Sequence, residues 1–102
     1  MNNTKHLISI YDLTKQNIYD LICKAFEFKK NRKVKYNICK GKTLGLLFNK
    51  PSTRTLVSFI VAMTQLSGNP IVLDVNTLQL KYRETIQDTA MVLSQYLDAI
   101  VI

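Results

Sequence analysis

Four consecutive residues, Ser52-Thr53-Arg54-Thr55, carry side chains suited to holding an oxyanion. An apolar run from Thr43 to Phe48 precedes them and ends at Pro51, and helical spacing begins at about Thr53. A strand, a turn and a helix in this order leave unpaired N–H groups at the positive end of a helix dipole. The three hydroxyls can donate hydrogen bonds, and the guanidinium group presents a planar fork that matches phosphate oxygens. The stretch therefore predicts an oxyanion site, with phosphate as the favoured ligand; the alternative is an ordinary N-cap with Arg54 in solvent.

Helices and strands alternate on both sides of this stretch. One apolar stripe with helical spacing predicts a first helix, which either Asp12 or Thr14 can cap. The apolar run from residue 43 to 48 predicts a strand buried on both faces. The apolar stripe of the first helix consists of Ile18, Leu21, Ile22, Ala25 and Phe26. The second helix is predicted from about Thr53 to Leu66, with helical spacing at Val57, Ile60, Val61 and Thr64.

The second half of the chain repeats this alternation. Gly68 predicts a left-handed helix C-cap, and Pro70 blocks continuation of the helix. A second strand is predicted at 71–73, followed by a polar loop from 74 to 83. Thr85, with Asp88 three residues later, matches a capping box that begins a third helix. Its core face is predicted at Ile86, Ala90, Leu93 and Leu97, and a third strand follows at 99–102.

The α-β-α-β-α-β order predicts an α/β fold, a three-layer parallel sheet with flanking helices. Ligands bind beyond the carboxyl ends of such strands, so Ser52–Thr55 and the 74–83 loop are both expected on the binding edge. Residues 1–102 are predicted to form one partial domain, because the apolar ending 97–102 is typical of a truncated domain.

Composition narrows the function classes. The net charge of +7 favours anionic partners, and eight basic residues lie between Lys24 and Lys42. The run from Lys29 to Lys35 is interpreted as a solvated helix end, and no nucleic-acid partner is expected because no aromatic residues interleave it. No apolar segment reaches the ~18 residues that span a membrane. Cys23 and Cys39 are expected to be free thiols in the cytoplasm, and no cofactor or metal site is predicted.

These residues resemble the aspartate/ornithine carbamoyltransferase family, and more closely its ornithine branch. The stretch from Phe48 to Thr55 is similar to that family's carbamoyl-phosphate signature, and Gly41-Lys42-Thr43-Leu44 leads into it. The likeness continues through 57–59, 62–63 and 65–68, and again through 79–80, 84–90, 92–94 and 96–100. It covers nearly the whole chain and is most specific after residue 48.

The resemblance implies transfer of a carbamoyl group from carbamoyl phosphate to ornithine, giving citrulline and phosphate. It implies that Ser52, Thr53, Arg54, Thr55 and Gln79 bind carbamoyl phosphate and that Arg54 stabilises charge on the departing phosphate, as positioned donors do in electrostatic catalysis. In the family the loop after the second strand reaches a neighbouring subunit of a homotrimer. Lys81 and Arg83 are candidates for that contact, or are ordinary loop charges.

The chain departs from the family pattern at several positions. Leu56 and Ile60 stand where the family usually has Arg and Glu, an i,i+4 pair whose joint loss leaves no unpaired charge. Lys81-Tyr82-Arg83 replaces a Gly-containing segment. The family's next carbamoyl-phosphate Arg, its later His-Pro-x-Gln segment and its amino-acid-binding domain have no counterpart in these 102 residues. We therefore expect this chain alone to be inactive.

Two alternatives stay open at this point. The acceptor could be aspartate or putrescine, because acceptor-binding residues lie outside the matching segment. The chain could also be a non-catalytic remnant that binds anions or pairs with intact subunits.

Overall fold

The computed structural model describes residues 6–48, 50, 52–74 and 85–102. The chain divides into two compact units, one ending at Val34 and the other running from Lys35 to Ile102. The first unit contains a short 3₁₀ helix, Ile10–Asp12, and helix α1, Lys15–Lys30. The second contains β1 (Thr43–Leu47), α2 (Thr53–Gln65), β2 (Asn69–Leu73), α3 (Ile86–Tyr96) and β3 (Ala99–Val101).

Helix α1 begins after Thr14, one of the two predicted caps. The Thr14 hydroxyl accepts the N–H of Asn17 at 3.0 Å, and the Asn17 side-chain oxygen accepts the N–H of Thr14 at 3.0 Å. This reciprocal pair is a capping box. Asp12 instead ends the 3₁₀ helix, where its carboxylate accepts the N–H groups of Ile8 and Ser9.

The predicted apolar stripe of α1 is largely exposed. Leu21 is 55% exposed, Ile22 53% and Phe26 63%. Helical spacing thus predicted the apolar face of α1 correctly, but the spacing does not indicate whether that face is buried. Lys29 and Lys30 occupy the last turn and are exposed, where their charges complement the negative end of the helix dipole.

The second unit contains a three-stranded parallel sheet in the order β2-β1-β3. Right-handed crossovers in this order place α2 and α3 on opposite faces, which gives the predicted three layers. The central strand β1 holds the core: Leu46 is completely buried, and Gly45 is buried beside it. A Cβ atom on Gly45 would lie 2.6 Å from Cδ1 of Leu97, so the missing side chain is what lets Leu97 approach the sheet.

Strand β2 starts two residues earlier than predicted and includes Pro70. The N–H of Asn69 donates to the carbonyl of Lys42 at 2.9 Å, which opens the pairing with β1. Alternate residues of a parallel strand face the same neighbour, so the nitrogen of Pro70 faces away from β1. Among the described strands β2 is at the edge of the sheet, where a proline removes no ladder bond.

The predicted left-handed cap at Gly68 is wrong, because Ser67 adopts that conformation, with φ of 68°. The N–H of Gly68 donates to the carbonyl of Met63 and the N–H of Ser67 to that of Thr64, which is a Schellman motif. A Cβ atom on Gly68 would clash with the Met63 side chain. The φ angle of residue 68 is thus not left-handed, and the space beside it is occupied by the Met63 side chain.

The predicted core face of α3 needs correction as well, and on α2 the residues with helical spacing are not the most buried ones. On α2 Met63 is buried, whereas Val57 is 48% exposed and Val61 45%. On α3 Ile86 is 76% exposed and Ala90 is exposed, while Thr89 is buried and Leu93 and Leu97 are half-buried. The inner face of α3 thus consists of Thr89, Leu93 and Leu97, which are four residues apart. Its first member is a threonine, which is not included when only apolar residues are considered.

Candidate functional site

The first turn of α2 contains the predicted oxyanion-binding residues. Ser52 is the N-cap residue, Thr53–Thr55 form the first helical positions, and all four side chains are exposed. The first bond of the helix runs from the N–H of Leu56 to the carbonyl of Ser52, at 2.9 Å. The amide groups of residues 53–55 therefore have no acceptor within the helix.

Ser52 does not cap this helix. Its side chain makes no capping hydrogen bond, and its backbone has φ of −147° and ψ of 73°. No acidic residue lies in the first turn of α2. Arg54 has no carboxylate partner among the described residues. Amide groups without an acceptor in the helix thus lie at the positive end of the helix dipole, together with a cation that has no described carboxylate partner.

A pocket of about 360 Å³ opens beside this turn. The parallel register brings the carboxyl ends of β1 and β3 together, with Leu46 opposite Val101. The rings of Phe48 and Phe59 pack edge to face, with centroids 6.4 Å apart and an angle of 79° between their planes. The pocket is lined by Phe48, Lys50, Thr55, Phe59, Val101 and Ile102.

The structure brings the four predicted residues of α2 together, but only Thr55 lines the pocket. Gln79, Lys81 and Arg83, also predicted from the sequence, lie outside the described residues. Lys50 was not among the predicted site residues, although it lies only two residues before Ser52. The signal that identifies it is positional, because it follows the carboxyl end of the central strand, where ligands of such sheets bind.

The helix that carries the site is continuous through both departures from the family pattern. Leu56 and Ile60 are half-buried on α2, which runs unbroken from Thr53 to Gln65. An apolar pair at i and i+4 on a partly covered face leaves no charge to desolvate.

The described residues contain neither a metal-binding group nor a membrane-spanning helix. No group of three or more His, Cys, Asp or Glu side chains there could hold a metal ion. No described helix is both long and apolar enough to cross a membrane.

Comparisons with known proteins agree on one family. Residues 5–102 match the family model described as aspartate/ornithine carbamoyltransferase, carbamoyl-P binding domain. The ornithine carbamoyltransferase of Bacillus thuringiensis subsp. konkukian is 47% identical over 100 residues, which are 98% of this chain and 31% of that protein. The chain thus spans about a third of the length of this relative.

Solved structures give the same result for the fold. An ornithine carbamoyltransferase from Pyrococcus furiosus superposes with a TM-score of 0.84 at 45% identity, over 94% of this chain and 31% of that one. The catalytic subunit of M. jannaschii aspartate transcarbamoylase superposes with a TM-score of 0.80 at 35% identity, over 95% of this chain and 33% of that one.

Proposed function

Because the chain belongs to the aspartate/ornithine carbamoyltransferase family, we propose that the start of α2 binds the phosphate group of carbamoyl phosphate. The observation that carries this proposal is the uncapped first turn, whose amide groups at 53–55 have no acceptor within the helix and whose side chains at 52–55 are exposed. The pocket beside Thr55 offers room for the carbamoyl end of the molecule.

The first turn supplies two kinds of donor to a phosphate. The N–H groups of residues 53–55 and the hydroxyls are neutral hydrogen-bond donors to the phosphate oxygens. Arg54 adds a donor that carries a full positive charge. Hydrogen bonds to charged groups are each worth about 1.5–3 kcal/mol. Several such bonds outweigh the cost of leaving a helix start uncapped, which is about 1 kcal/mol.

We propose that the complete protein transfers the carbamoyl group to ornithine, giving citrulline and phosphate. The amine nitrogen attacks the carbamoyl carbon, and the carbon–oxygen bond to phosphate breaks with its electron pair leaving on the phosphate. A proton is lost from the nitrogen. Arg54 stabilises the charge that develops on the departing phosphate, which makes it the catalytic residue of this segment.

Other groups complete this proposal from outside the described residues. Gln79 contacts carbamoyl phosphate, and the loop with Lys81 and Arg83 reaches a neighbouring subunit of a homotrimer. The acceptor amine is proposed to bind to a part that corresponds to the remaining two thirds of the relatives' length. The chemical step requires both reactants to be held in position. This chain alone is therefore expected to bind carbamoyl phosphate without catalysing the transfer.

Aspartate is the second candidate acceptor. Ornithine is the favoured acceptor because the ornithine carbamoyltransferases reach 47% identity to this chain. The aspartate transcarbamoylase subunit is 35% identical. The first turn of α2 is proposed to serve the donor substrate, so its role is the same with either acceptor.

The test joins residues 1–102 to the part of the Bacillus thuringiensis relative that follows its matched segment. We expect this hybrid to form citrulline from carbamoyl phosphate and ornithine, and Arg54→Ala to abolish turnover while leaving the folded state intact. Lys40→Ala, which removes an exposed cation before β1, is the matched control and keeps its activity. An unchanged rate in Arg54→Ala would contradict the assignment.

A second measurement uses the 102-residue chain itself. Nitrogen–proton correlation spectra recorded during a carbamoyl phosphate titration should show the largest shifts at the amides of Thr53, Arg54 and Thr55. Shifts confined to other residues would place the anion elsewhere, whether or not the hybrid is active.

A further inference from the structure

Two hydrogen bonds join Asp98, the residue before β3, to Thr43, the first residue of β1. The N–H of Thr43 donates to Oδ2 of Asp98 at 2.8 Å, and the N–H of Asp98 donates to the carbonyl of Thr43 at 2.9 Å. We propose that Asp98 is a positioning residue, which fixes the register of β3 on β1 and thereby holds Val101 and Ile102 in the wall of the pocket beside α2. This inference rests on the proposed function, which assigns carbamoyl phosphate to that pocket.

The start of β1 is the point at which both other strands of the described sheet are attached. On the β2 side the N–H of Asn69 donates to the carbonyl of Lys42 at 2.9 Å, which is a bond between two backbone groups. On the β3 side the acceptor of the Thr43 N–H is the side chain of Asp98. A substitution can therefore remove this attachment of β3 and leave that of β2 unchanged.

Strand β3 depends on such an attachment more than β2 does. It pairs with β1 over three residues, Ala99–Val101, whereas β2 pairs with β1 over five. Ala99 and Ile100 are exposed, and Val101 is half-buried. A strongly buried face is what specifies one register in most strands, so the side chains of β3 specify it only weakly.

Leu97 holds the same junction by a different kind of contact. It is half-buried, and its Cδ1 atom lies 2.6 Å from where a Cβ atom on Gly45 would be. Apolar contact is non-directional, so Leu97 keeps β3 close to the sheet without fixing its offset along β1. The hydrogen bonds of Asp98 are directional and fix that offset, which places Val101 opposite Leu46. A shift by one residue would move Val101 by about 3.3 Å and turn its side chain to the other face of the sheet.

The hydrogen bonds of Asp98, and not its charge, carry this role. Nζ of Lys42 lies 4.0 Å from Oδ1 of Asp98, and the two side chains are 62% and 46% exposed. An ion pair as exposed as this contributes little, because water and salt screen it. Asparagine keeps an acceptor oxygen and should therefore replace Asp98 with a small loss, whereas alanine should not.

The experiment compares Asp98→Ala with Asp98→Asn and with Thr85→Ala in the 102-residue chain. The Thr85 hydroxyl accepts the N–H of Asp88 at 3.0 Å, at the other end of α3. Thr85→Ala therefore lowers stability without removing a bond of β3, and it controls for loss of stability alone. Nuclear Overhauser contacts between protons of paired strands measure the register, and titration calorimetry measures the Kd for carbamoyl phosphate.

In Asp98→Ala we expect the contacts between Leu46 and Val101 to weaken or to split into two sets, while those between Leu46 and Val72 of β2 persist. The Kd for carbamoyl phosphate should rise about 5-fold, as it would if about one fifth of the molecules kept the binding-competent register. Asp98→Asn should stay within about 2-fold of the unmodified chain, because it keeps a hydrogen-bond acceptor. Thr85→Ala should change neither the contacts nor the Kd.

If Asp98→Ala does not fold, Asp98→Glu takes its place in the comparison. Glutamate keeps the charge and the acceptor but moves the carboxylate outward by one methylene group. The same changes in contacts and in Kd are then expected, at a smaller size.

The two measurements separate the outcomes that would contradict the inference. Unchanged contacts between Leu46 and Val101 in the Asp98 variant would overturn its role in the register, whatever the ligand does. Altered contacts with an unchanged Kd would overturn the link to the pocket, and so would an equal rise in Kd in Thr85→Ala. If the unmodified chain does not bind carbamoyl phosphate, the proposed function is lost together with that link, while the contacts still decide the register.

Discussion

The starts of the three α-helices differ in how their free N–H groups are used. Thr14 caps α1 through the N–H of Asn17, and Thr85 caps α3 through the N–H of Asp88, both at 3.0 Å. Ser52 precedes α2 with an equally suitable hydroxyl and makes no such bond. The same class of side chain therefore stabilises two helices and leaves the first turn uncapped on the third, which follows the central strand β1 in the sequence.

The backbone explains the difference. Thr14 and Thr85 have ψ of 164° and 156°, the extended conformation that turns a side chain back over its helix. Ser52 has ψ of 73°, which points its hydroxyl elsewhere. Charge does not follow the same division, because the first turn of α3 holds Asp88 whereas that of α2 holds Arg54 and that of α1 holds Lys15.

The two ends of α2 differ in the same way. At its C-terminal end the carbonyls of Gln65 and Leu66 accept the N–H groups of Tyr36 and Cys39, at 2.9 and 2.8 Å. The Schellman bonds engage the preceding two carbonyls. The open start is thus a local property of the first turn and not a weakness of the whole helix.

The largest effect is expected from Arg54→Glu. Replacing a cation by an anion at the helix start should raise the Kd for carbamoyl phosphate by about 100-fold through the loss of charge-assisted hydrogen bonds. The same change should increase the free energy of unfolding by about 0.5–1 kcal/mol, because the new charge complements the dipole. Titration calorimetry and urea unfolding followed by circular dichroism measure the two effects.

The matched control is Lys15→Glu, which makes the same charge reversal at the first position of α1. It should stabilise its helix similarly and leave the Kd unchanged. Equal losses of affinity in the two variants would mean that net charge, rather than the start of α2, governs binding.

A second substitution removes a cap that is in use. Thr85→Ala deletes the acceptor of the Asp88 N–H and should lower the free energy of unfolding by about 1 kcal/mol, with no change in ligand affinity. Urea unfolding measures the loss, and Thr85→Ser should recover most of it. A loss below about 0.3 kcal/mol would show that water replaces this cap without cost.

The closed end of α2 can be tested at Ser67. Its hydroxyl donates to the carbonyl of Tyr36, while its backbone is left-handed with φ of 68°. Ser67→Ala keeps the strained conformation and loses the bond, so stability should fall by about 1 kcal/mol. Ser67→Gly loses the same bond but relieves the strain, so its loss in urea unfolding should be about half as large or less. Equal losses would mean that the left-handed conformation costs nothing here.

The smallest effect on stability is expected from Ser52→Ala. Because this hydroxyl makes no capping bond, its removal should change the free energy of unfolding by less than about 0.3 kcal/mol. Urea unfolding beside Thr85→Ala provides the comparison. A loss as large as that of Thr85→Ala would mean that Ser52 caps the helix in solution.

Sequence patterns predicted the parts of this fold that depend on local chemistry. The caps at Thr14 and Thr85, the alternation of helices and strands and the α/β class are confirmed. Whether Ser52 makes a capping bond could not be predicted, because that depends on one backbone angle and not on residue type. The position of the first turn at the sheet edge could be predicted, but the pocket that Thr55 lines together with Phe59 and Val101 depends on contacts between distant elements.

The errors have a common physical origin in packing between distant residues. Gly68 has the residue type of a left-handed cap, yet Ser67 adopts that conformation and the Met63 side chain fills the space beside Gly68. Thr89 is buried on the inner face of α3, where a count of apolar residues places Ala90. Such contacts depend on the distance between a helix and a sheet, which periodicity alone does not contain.

The order β2-β1-β3 places the strand that is synthesised first in the middle of the sheet. During translation β1 can pair with β2 after about 25 further residues, but its other edge stays open until β3 has been made. At about 5–20 residues per second the ribosome takes several seconds to synthesise the segment between β1 and β3. During that interval one edge of β1 has unpaired backbone groups, and the strand also carries the apolar side chains of Leu44, Leu46 and Leu47. Such an edge favours association with other nascent chains or with a chaperone.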